Sequence, residues 1–232
     1  MRGTCLVCGR KVTKGGAGRH LEACLQAQEG LPRGDSKRAD SGRALRVRVE
    51  GRDEPAYWMY MELPAKRTLQ DLDDFLRDTW LECCGHLSSF RVGEELFDRF
   101  LQDAAEWGVR ARSMAVRVGR VLRPGLRFAY EYDFGTTTEL VGTVVSEGPA
   151  RSAGARERAL ARNDPPSIRC ARCGKEAVRV CPECRYETKG WFCESHAAAH
   201  HCGAEVFLPV VNSPRVGLCA YAGPRSSGWS VS

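Results

Sequence analysis

The 232-residue sequence has no run of the roughly 18 apolar residues that a membrane-spanning helix needs. Its first residues, Met1 to Cys8, lack the long apolar stretch of a secretory signal. It also has no Gly-rich phosphate loop, no nucleophile elbow and no HExxH helix. These absences predict a cytoplasmic protein without membrane attachment and argue against the enzyme classes that such motifs define.

Charge of either sign is in small excess only. The sequence has 35 basic and 29 acidic residues and a formal net charge of +6. The basic excess lies in residues 1–44 and 149–169, whereas residues 45–148 are mildly acidic. This distribution allows contacts with phosphates but does not provide the strongly basic face of a typical nucleic-acid-binding domain.

Cysteine, in contrast, is abundant, with 12 residues beside 5 histidines. A chain without an export signal stays in a reducing compartment, where closely spaced cysteines are better explained by metal ligation than by disulfides. The spacing of the cysteines and histidines is therefore the first functional signal in the sequence.

The N-terminal segment has the spacing of a zinc finger, with Cys5 and Cys8 followed by His20 and Cys24. A C-x-x-C turn directs two thiolates at one ion, and a His and a Cys four residues apart share a helical face. The segment resembles a Cys-Cys-His-Cys variant of the small ββα fingers. Three glycines crowd the start of its helix, which favours a structural or general contact module over sequence-specific DNA reading.

The C-terminal segment contains four ligand pairs within 33 residues, enough for two zinc ions. The pairs are Cys170 and Cys173, Cys181 and Cys184, Cys193 and His196, and His200 and Cys202. We expect an interleaved cross-brace, in which the first pair joins the third and the second joins the fourth. Consecutive pairing and His201 in place of His200 remain open. The ligand order resembles that of B-box and AN-type fingers.

The sequence thus predicts three structural zinc ions, each bound by three cysteines and one histidine. A closed tetrahedral site has no open position for water, which argues against catalytic zinc. Each such site carries a charge of about −1, so the zinc-loaded chain would have a net charge near +3. This scheme leaves Cys83, Cys84, Cys219, His86 and one of His200 or His201 without a partner.

Cys84 and His86 could form an activated nucleophile, but no orienting group is recognisable. The preferred interpretation is a buried cysteine and a histidine that caps a helix.

The middle of the chain has the patterning of an α+β domain. Residues 45–49, 57–63, 126–134 and 137–145 are typical of strands, because apolar and polar residues alternate or aromatic residues cluster. A helix is predicted after Thr68, a plausible N-cap with Asp71 three residues later, and a second over Glu94–Trp107. We expect a central domain of mixed sheet and helix flanked by two small zinc-binding modules.

Changes in composition divide the chain into five segments. They are a zinc finger (1–25), a linker (26–44), the α+β domain (45–147), a second linker (148–167) with a possible short helix over Arg151–Arg162, and a two-zinc cross-brace module with its tail (168–232).

The central segments YWMYMELP, TLQDLDDFLRDTW, HLSSFRVG and FAYEYDFG occur in this order along the chain. Over residues 45–146 the sequence resembles the plasmid Ri open-reading-frame-three-like family. The tail LPVVNSPRVGLCAYAG resembles the segment after the zinc module in a zinc-bearing branch of that family. The chain departs from the family at Leu81-Glu82-Cys83 and after Gly135. The resemblance implies a fold rather than a reaction, because the family is largely of unknown function, with some members linked to mobile elements.

The favoured hypothesis is a non-catalytic, zinc-dependent protein that associates with DNA or RNA. The candidate contacts to nucleic acid are Arg10, Lys11, Lys14, Arg19, Arg151, Arg156, Arg158 and Arg162. The alternative is an adaptor that binds a protein partner through its zinc modules, motivated by the cross-brace resemblance and the low net charge.

Overall fold

The computed structural model describes residues 1–29, 42–101, 108, 110–151, 154–187 and 189–224. These residues form an α+β fold built on a large mixed sheet with few helices. None of the described helices is long and apolar enough to cross a membrane.

The large sheet contains ten of the described strands in the order β2-β1-β10-β4-β3-β9-β8-β5-β6-β7. They are β1 (Arg2–Cys5), β2 (Lys11–Thr13), β3 (Arg43–Gly51), β4 (Trp58–Pro64), β5 (Ser88–Val92), β6 (Glu95–Asp98), β7 (Arg112–Ser113), β8 (Arg127–Tyr132), β9 (Thr138–Pro149) and β10 (Arg158–Asn163). Neighbouring strands are antiparallel except β6 and β7. A second sheet has the order β12-β11-β13 and contains β11 (Arg179–Val180), β12 (Trp191–Phe192) and β13 (Leu208–Pro209).

The described helices are α1 (Lys14–Glu29), α2 (Leu69–Leu76), α3 (Val118–Val121) and α4 (Glu194–Ala197). A π-helical turn over Arg77–Leu81 continues α2, and short 3-10 turns cover Arg185–Glu187 and Ala204–Val206. The predicted N-cap of α2 is confirmed, because the Thr68 hydroxyl accepts from the Asp71 amide at 3.1 Å. The Asp71 carboxylate accepts from the Thr68 amide in return, at 2.7 Å.

Strand β4 separates two apolar cores, because alternate residues of a strand point to opposite faces. Met59 and Met61 lie in the main core with α2, while Trp58 and Tyr60 lie in a second core with α1. The Tyr60 hydroxyl also donates to the Lys14 carbonyl at 3.1 Å. The N-terminal finger therefore covers one face of the sheet with its helix, and its strands β1 and β2 extend the sheet itself.

Two helix predictions are wrong. The helix expected over Glu94–Trp107 is contradicted by β6 (Glu95–Asp98), which pairs with β5 through a tight turn at Gly93, where φ is 61°. Residues 102–107 and 109 lie outside the described residues. The short helix over Arg151–Arg162 is contradicted by β10, which lies between β1 and β4 and bonds to both.

The four strands predicted in the middle of the chain correspond to β3, β4, β8 and β9. The linker predicted over residues 26–44 begins within α1 and ends within β3, and residues 30–41 lie outside the described residues. Division of the chain into five segments stays a prediction.

Candidate metal centres

Four clusters of three cysteines and one histidine could each hold a metal ion. The ligand atoms of a cluster all lie within 4.8 Å of one another. The finger cluster is Cys5, Cys8, His20 and Cys24; the first brace cluster is Cys170, Cys173, Cys193 and His196; the second brace cluster is Cys181, Cys184, His200 and Cys202; the tail cluster is Cys83, Cys84, His86 and Cys219. Together they contain all 12 cysteines and every histidine except His201.

The separations of the ligand atoms fit a tetrahedral zinc ion. Zn–S bonds of about 2.3 Å and Zn–N bonds of about 2.0 Å give S···S edges of about 3.8 Å and S···N edges of about 3.5 Å. The Sγ atoms of Cys173 and Cys193 are 3.8 Å apart, as are those of Cys184 and Cys202. Cys184 Sγ lies 3.5 Å from His200 Nε2. The donor set and the distances therefore both suit zinc.

The finger cluster is assembled by the hairpin of β1 and β2 and by α1. Cys5 ends β1, and its amide donates to the Arg10 carbonyl at 2.9 Å, which closes the turn that carries Cys8. Cys8 Sγ lies 3.4 Å from His20 Nε2 on α1. The turn is anchored to the sheet, because the Leu6 amide donates to the Leu160 carbonyl of β10 at 2.8 Å.

The two brace clusters are interleaved along the chain. The structure groups the first predicted pair with the third and the second with the fourth, and it places His200 rather than His201 in the second brace cluster. The ring of Phe192 lies 4.6 Å from that of His200, centroid to centroid, and packs with Cys170 and Cys181 in a small core. Because this core is small, we expect bound metal to contribute to the stability of the segment.

A Cys–Gly dipeptide recurs in every cluster. Gly9, Gly85, Gly174 and Gly203 each follow a ligand cysteine and have φ of 75°, 79°, 70° and 89°. Only glycine adopts this left-handed conformation at little cost, and it lets the chain fold back around the preceding thiol. The sequence contains four Cys–Gly dipeptides, and each cluster has one.

The tail cluster unites the residues that the three-zinc scheme left over. Cys83, Cys84 and His86 follow the helical segment of α2, and Cys219 comes from the C-terminal tail. No ligand spacing in the sequence connects the two regions, because 135 positions separate Cys84 from Cys219. The Cys84-Gly85 dipeptide is the signal in the sequence that could have identified the ligands of this cluster that lie near α2.

The thiol pKa values within a cluster are pushed apart when no metal is bound. Burial raises the pKa of Cys24 to about 12, and hydrogen bonding to Cys219 raises that of Cys84 to about 12. A hydrogen bond with His86 lowers the pKa of Cys219 to about 7. A metal ion must displace the protons that remain, so binding should weaken as the pH falls.

Five of the eight basic residues predicted to contact nucleic acid, Arg151 among them, have an interaction partner inside the protein. Lys11 Nζ lies 2.9 Å from Asp164 Oδ1, and Lys14 pairs with Glu50. Arg158 lies against Glu62 at 3.3 Å, and Arg162 donates to the Asn212 carbonyl at 2.8 Å. Burial also lowers the pKa of Arg162.

The remaining four predicted residues, including Arg151, are exposed. Arg151 is exposed and has an interaction partner. Arg10, Arg19 and Arg156 are exposed, and no ion pair to them occurs within the described part of the chain. Within the described residues, these three predicted cations are exposed and have no ion pair with a carboxylate.

Comparisons with known proteins place the chain in no family. No protein-family profile matches the sequence, and no curated protein matches it. Among solved structures, a protein of unknown function from Methanosarcina mazei Go1 resembles it with a TM-score of 0.42 and 13% identity. The similarity covers 51% of this chain and 67% of that one.

Proposed function

We propose that the protein is a non-catalytic zinc-binding protein that associates with nucleic acid. Three structural zinc ions occupy the finger cluster and the two brace clusters, which flank the central domain as small modules. The observation that carries this proposal is that each cluster offers four protein ligands. Four protein ligands fill a tetrahedral coordination sphere and leave no position where water or substrate could be activated.

The central domain would belong to the plasmid Ri open-reading-frame-three-like family. The support is the ordered set of four motifs over residues 45–146, which form β4, the α2 segment, β5 and β8. Membership in that family would imply a fold rather than a reaction.

The nucleic-acid surface would centre on the finger cluster. Arg10 follows Cys8 by two residues and Arg19 precedes His20, so both lie beside metal ligands whose positions an ion would fix. Arg156 lies two residues before β10, and β10 pairs with the finger strand β1. Three exposed cations on a rigid support are suited to contact successive phosphates.

Fluorescence anisotropy of the zinc-loaded protein tests this surface, with single- and double-stranded DNA and RNA measured over a salt series. We expect binding that weakens steeply with salt, and we expect the combined variant Arg10→Glu, Arg19→Glu and Arg156→Glu to abolish it. The matched control reverses Arg91, Arg120 and Arg123, which are also exposed and belong to the distant β5 and to α3 and its end. Loss of binding in the control alone, or no binding at low salt, would refute the proposal.

The adaptor alternative is favoured by one observation on the C-terminal module. Tyr186 is 70% exposed and Val178 is 45% exposed, and exposed aromatic side chains are enriched at protein interfaces. A partner recovered in stoichiometric amount by the zinc-loaded protein, and lost with Tyr186→Ala, would support the adaptor. Recovery of nucleic acid alone would count against it.

A further inference from the structure

We infer that the tail cluster is a fourth zinc site, which fastens the C-terminal tail to the central domain. This inference goes beyond the proposed function, because it concerns residues that the three-zinc scheme leaves unused. It does not depend on whether the protein binds nucleic acid.

The geometry of the tail cluster matches that of the other three. Cys84 Sγ and Cys219 Sγ lie 3.4 Å apart, and Cys219 Sγ lies 3.5 Å from His86 Nε2. A disulfide would require about 2.05 Å between the sulfur atoms, whereas the edge of a zinc tetrahedron requires about 3.8 Å. The tail cluster has the same donor set of three thiols and one imidazole as the other clusters.

The turn that presents the ligands has the Cys–Gly conformation of the other clusters. Gly85 has a φ of 79°, and its amide donates to Glu82 Oε1 at 2.6 Å, which folds the chain back between Cys84 and His86. Cys219 itself has a φ of 49°, a conformation that a residue other than glycine adopts only when its surroundings require it.

Side chains around the cluster orient its histidine. His86 Nε2 faces the thiols, and Nδ1 lies 3.5 Å from Asp133 Oδ1. Metal-bound histidines almost always donate their other ring N–H to a carboxylate, a backbone carbonyl or water, and Asp133 is placed to accept in this way from His86. Asp133 is held in place in turn, because its Oδ1 accepts from the amides of Gly135 and Thr136 at 3.1 and 3.2 Å.

A buried cation on the tail completes these surroundings. Arg215 is 0% exposed, and one of its terminal nitrogens lies 2.6 Å from Asp133 Oδ2 and 3.5 Å from Cys83 Sγ. Its other terminal nitrogen donates to the Thr136 carbonyl at 3.1 Å and to Thr138 Oγ1 at 3.0 Å. A zinc ion with three thiolates has a net charge of about −1, which a neighbouring guanidinium stabilises. Asp133 and Arg215 are thus positioning residues for the site.

Metal content gives the direct test. Protein produced with added zinc and analysed by elemental mass spectrometry should contain four zinc ions per chain in the wild type and three in Cys84→Ser. Cys84 is chosen because it is exposed, so the substitution removes a ligand without creating a cavity. His201→Ala is the matched control and should retain four ions. Three ions in the wild type, or four in Cys84→Ser, would overturn the inference.

Cobalt titration of the wild type keeps the test valid if the variant does not fold. Tetrahedral Co²⁺ with thiolate ligands absorbs strongly in the visible range, and we expect this signal to rise through four equivalents. Saturation at three equivalents would contradict the fourth site. A Cys84–Cys219 disulfide, detected in the intact protein by mass spectrometry as the loss of two hydrogen atoms, would also contradict it.

The positioning role has its own readout. Asp133→Asn should weaken the binding of one of the four zinc ions by about ten- to a hundredfold in competition with a chelator, because the carboxylate orients His86. Glu131→Gln, two residues earlier, makes the same change in charge and should leave all four ions unaffected. Equal zinc release from the two variants would refute the role of Asp133.

The attachment of the tail is tested by hydrogen exchange. Cys84→Ser should increase exchange over residues 210–221, more than a hundred positions away in sequence, and leave the brace segment 170–202 unchanged. Unchanged exchange in the tail would refute the proposed attachment.

Discussion

The finger and brace clusters differ from the tail cluster in how far along the chain their ligands lie. Ligands in contact within the finger and brace clusters are 3 to 26 positions apart, whereas Cys219 of the tail cluster is 133 and 135 positions from the two ligands that it contacts, His86 and Cys84. A metal ion between nearby ligands folds its own segment. A metal ion between distant ligands constrains the long loop of chain between them.

Complete removal of zinc should have the largest effect and should separate the two kinds of site. Structural zinc contributes about 10 kcal/mol or more to the folding of small modules, so the finger and brace segments should lose their structure. Among the described residues, the buried main core contains none of the twelve ligands predicted from spacing, and β3, β4, β8 and β9 should keep slow amide exchange. Hydrogen exchange with and without a chelator measures this. Equal loss of protection in the zinc-binding segments and in the large sheet would contradict the expected difference.

Substitution of single ligands should also distinguish the brace clusters from the tail cluster. Cys184→Ser should unfold the brace segment and leave the melting of the large sheet nearly unchanged, whereas Cys219→Ser should lower the stability of the whole domain. The loop of 135 positions exceeds one of 18 by nearly three doublings, which corresponds to about 1.7 kcal/mol of loop-closure free energy. Denaturant unfolding followed by Trp fluorescence compares the two, and equal effects would contradict the expectation.

Substitution of the glycine that follows a ligand cysteine allows the tail cluster to be compared with a brace cluster. Gly85→Ala and Gly174→Ala force a side chain into the left-handed conformation, which costs about 1–2 kcal/mol, and the added Cβ would meet no atom within 4 Å at either position. Each should reduce zinc affinity about tenfold at its own cluster. Chelator competition measures this, and an effect at only one of the two would show that the turns are not equivalent.

The smallest effect concerns the part of the tail attachment that needs no metal. Ser213 Oγ lies 2.6 Å from the Trp80 carbonyl and 2.9 Å from the Arg215 amide. Ser213→Ala should cost about 1 kcal/mol of unfolding free energy and leave the zinc content unchanged. The control Ser167→Ala removes an exposed hydroxyl and should cost almost nothing. Loss of zinc in Ser213→Ala would mean that the hydrogen bond and the metal are not separate contributions.

Local patterns in the sequence predicted the elements whose residues interact mainly with near neighbours. The alternation at Leu45, Val47 and Val49 and the cap at Thr68 are properties of a few adjacent residues, and both appear in the fold. The groupings of the finger and brace clusters likewise follow from short spacings.

The remaining elements depend on partners that are distant in sequence. The stretch RALARN has no strand pattern of its own, yet it forms β10 because β1 and β4 supply hydrogen-bond partners on both sides. Glu95–Asp98 has helix-compatible periodicity, but the turn at Gly93 pairs it with β5. Cys219 lacks a nearby ligand, so spacing alone could not connect it to Cys84.

The position of β1 in the sheet has a consequence for synthesis on the ribosome. Arg2–Cys5 is made well before its neighbour β10, which ends at Asn163, so all of the intervening residues must be made before this pair can form. During that interval the finger can already bind its metal ion, because its four ligands are complete at Cys24. The finger would then be folded before the strand that joins it to the large sheet has been made.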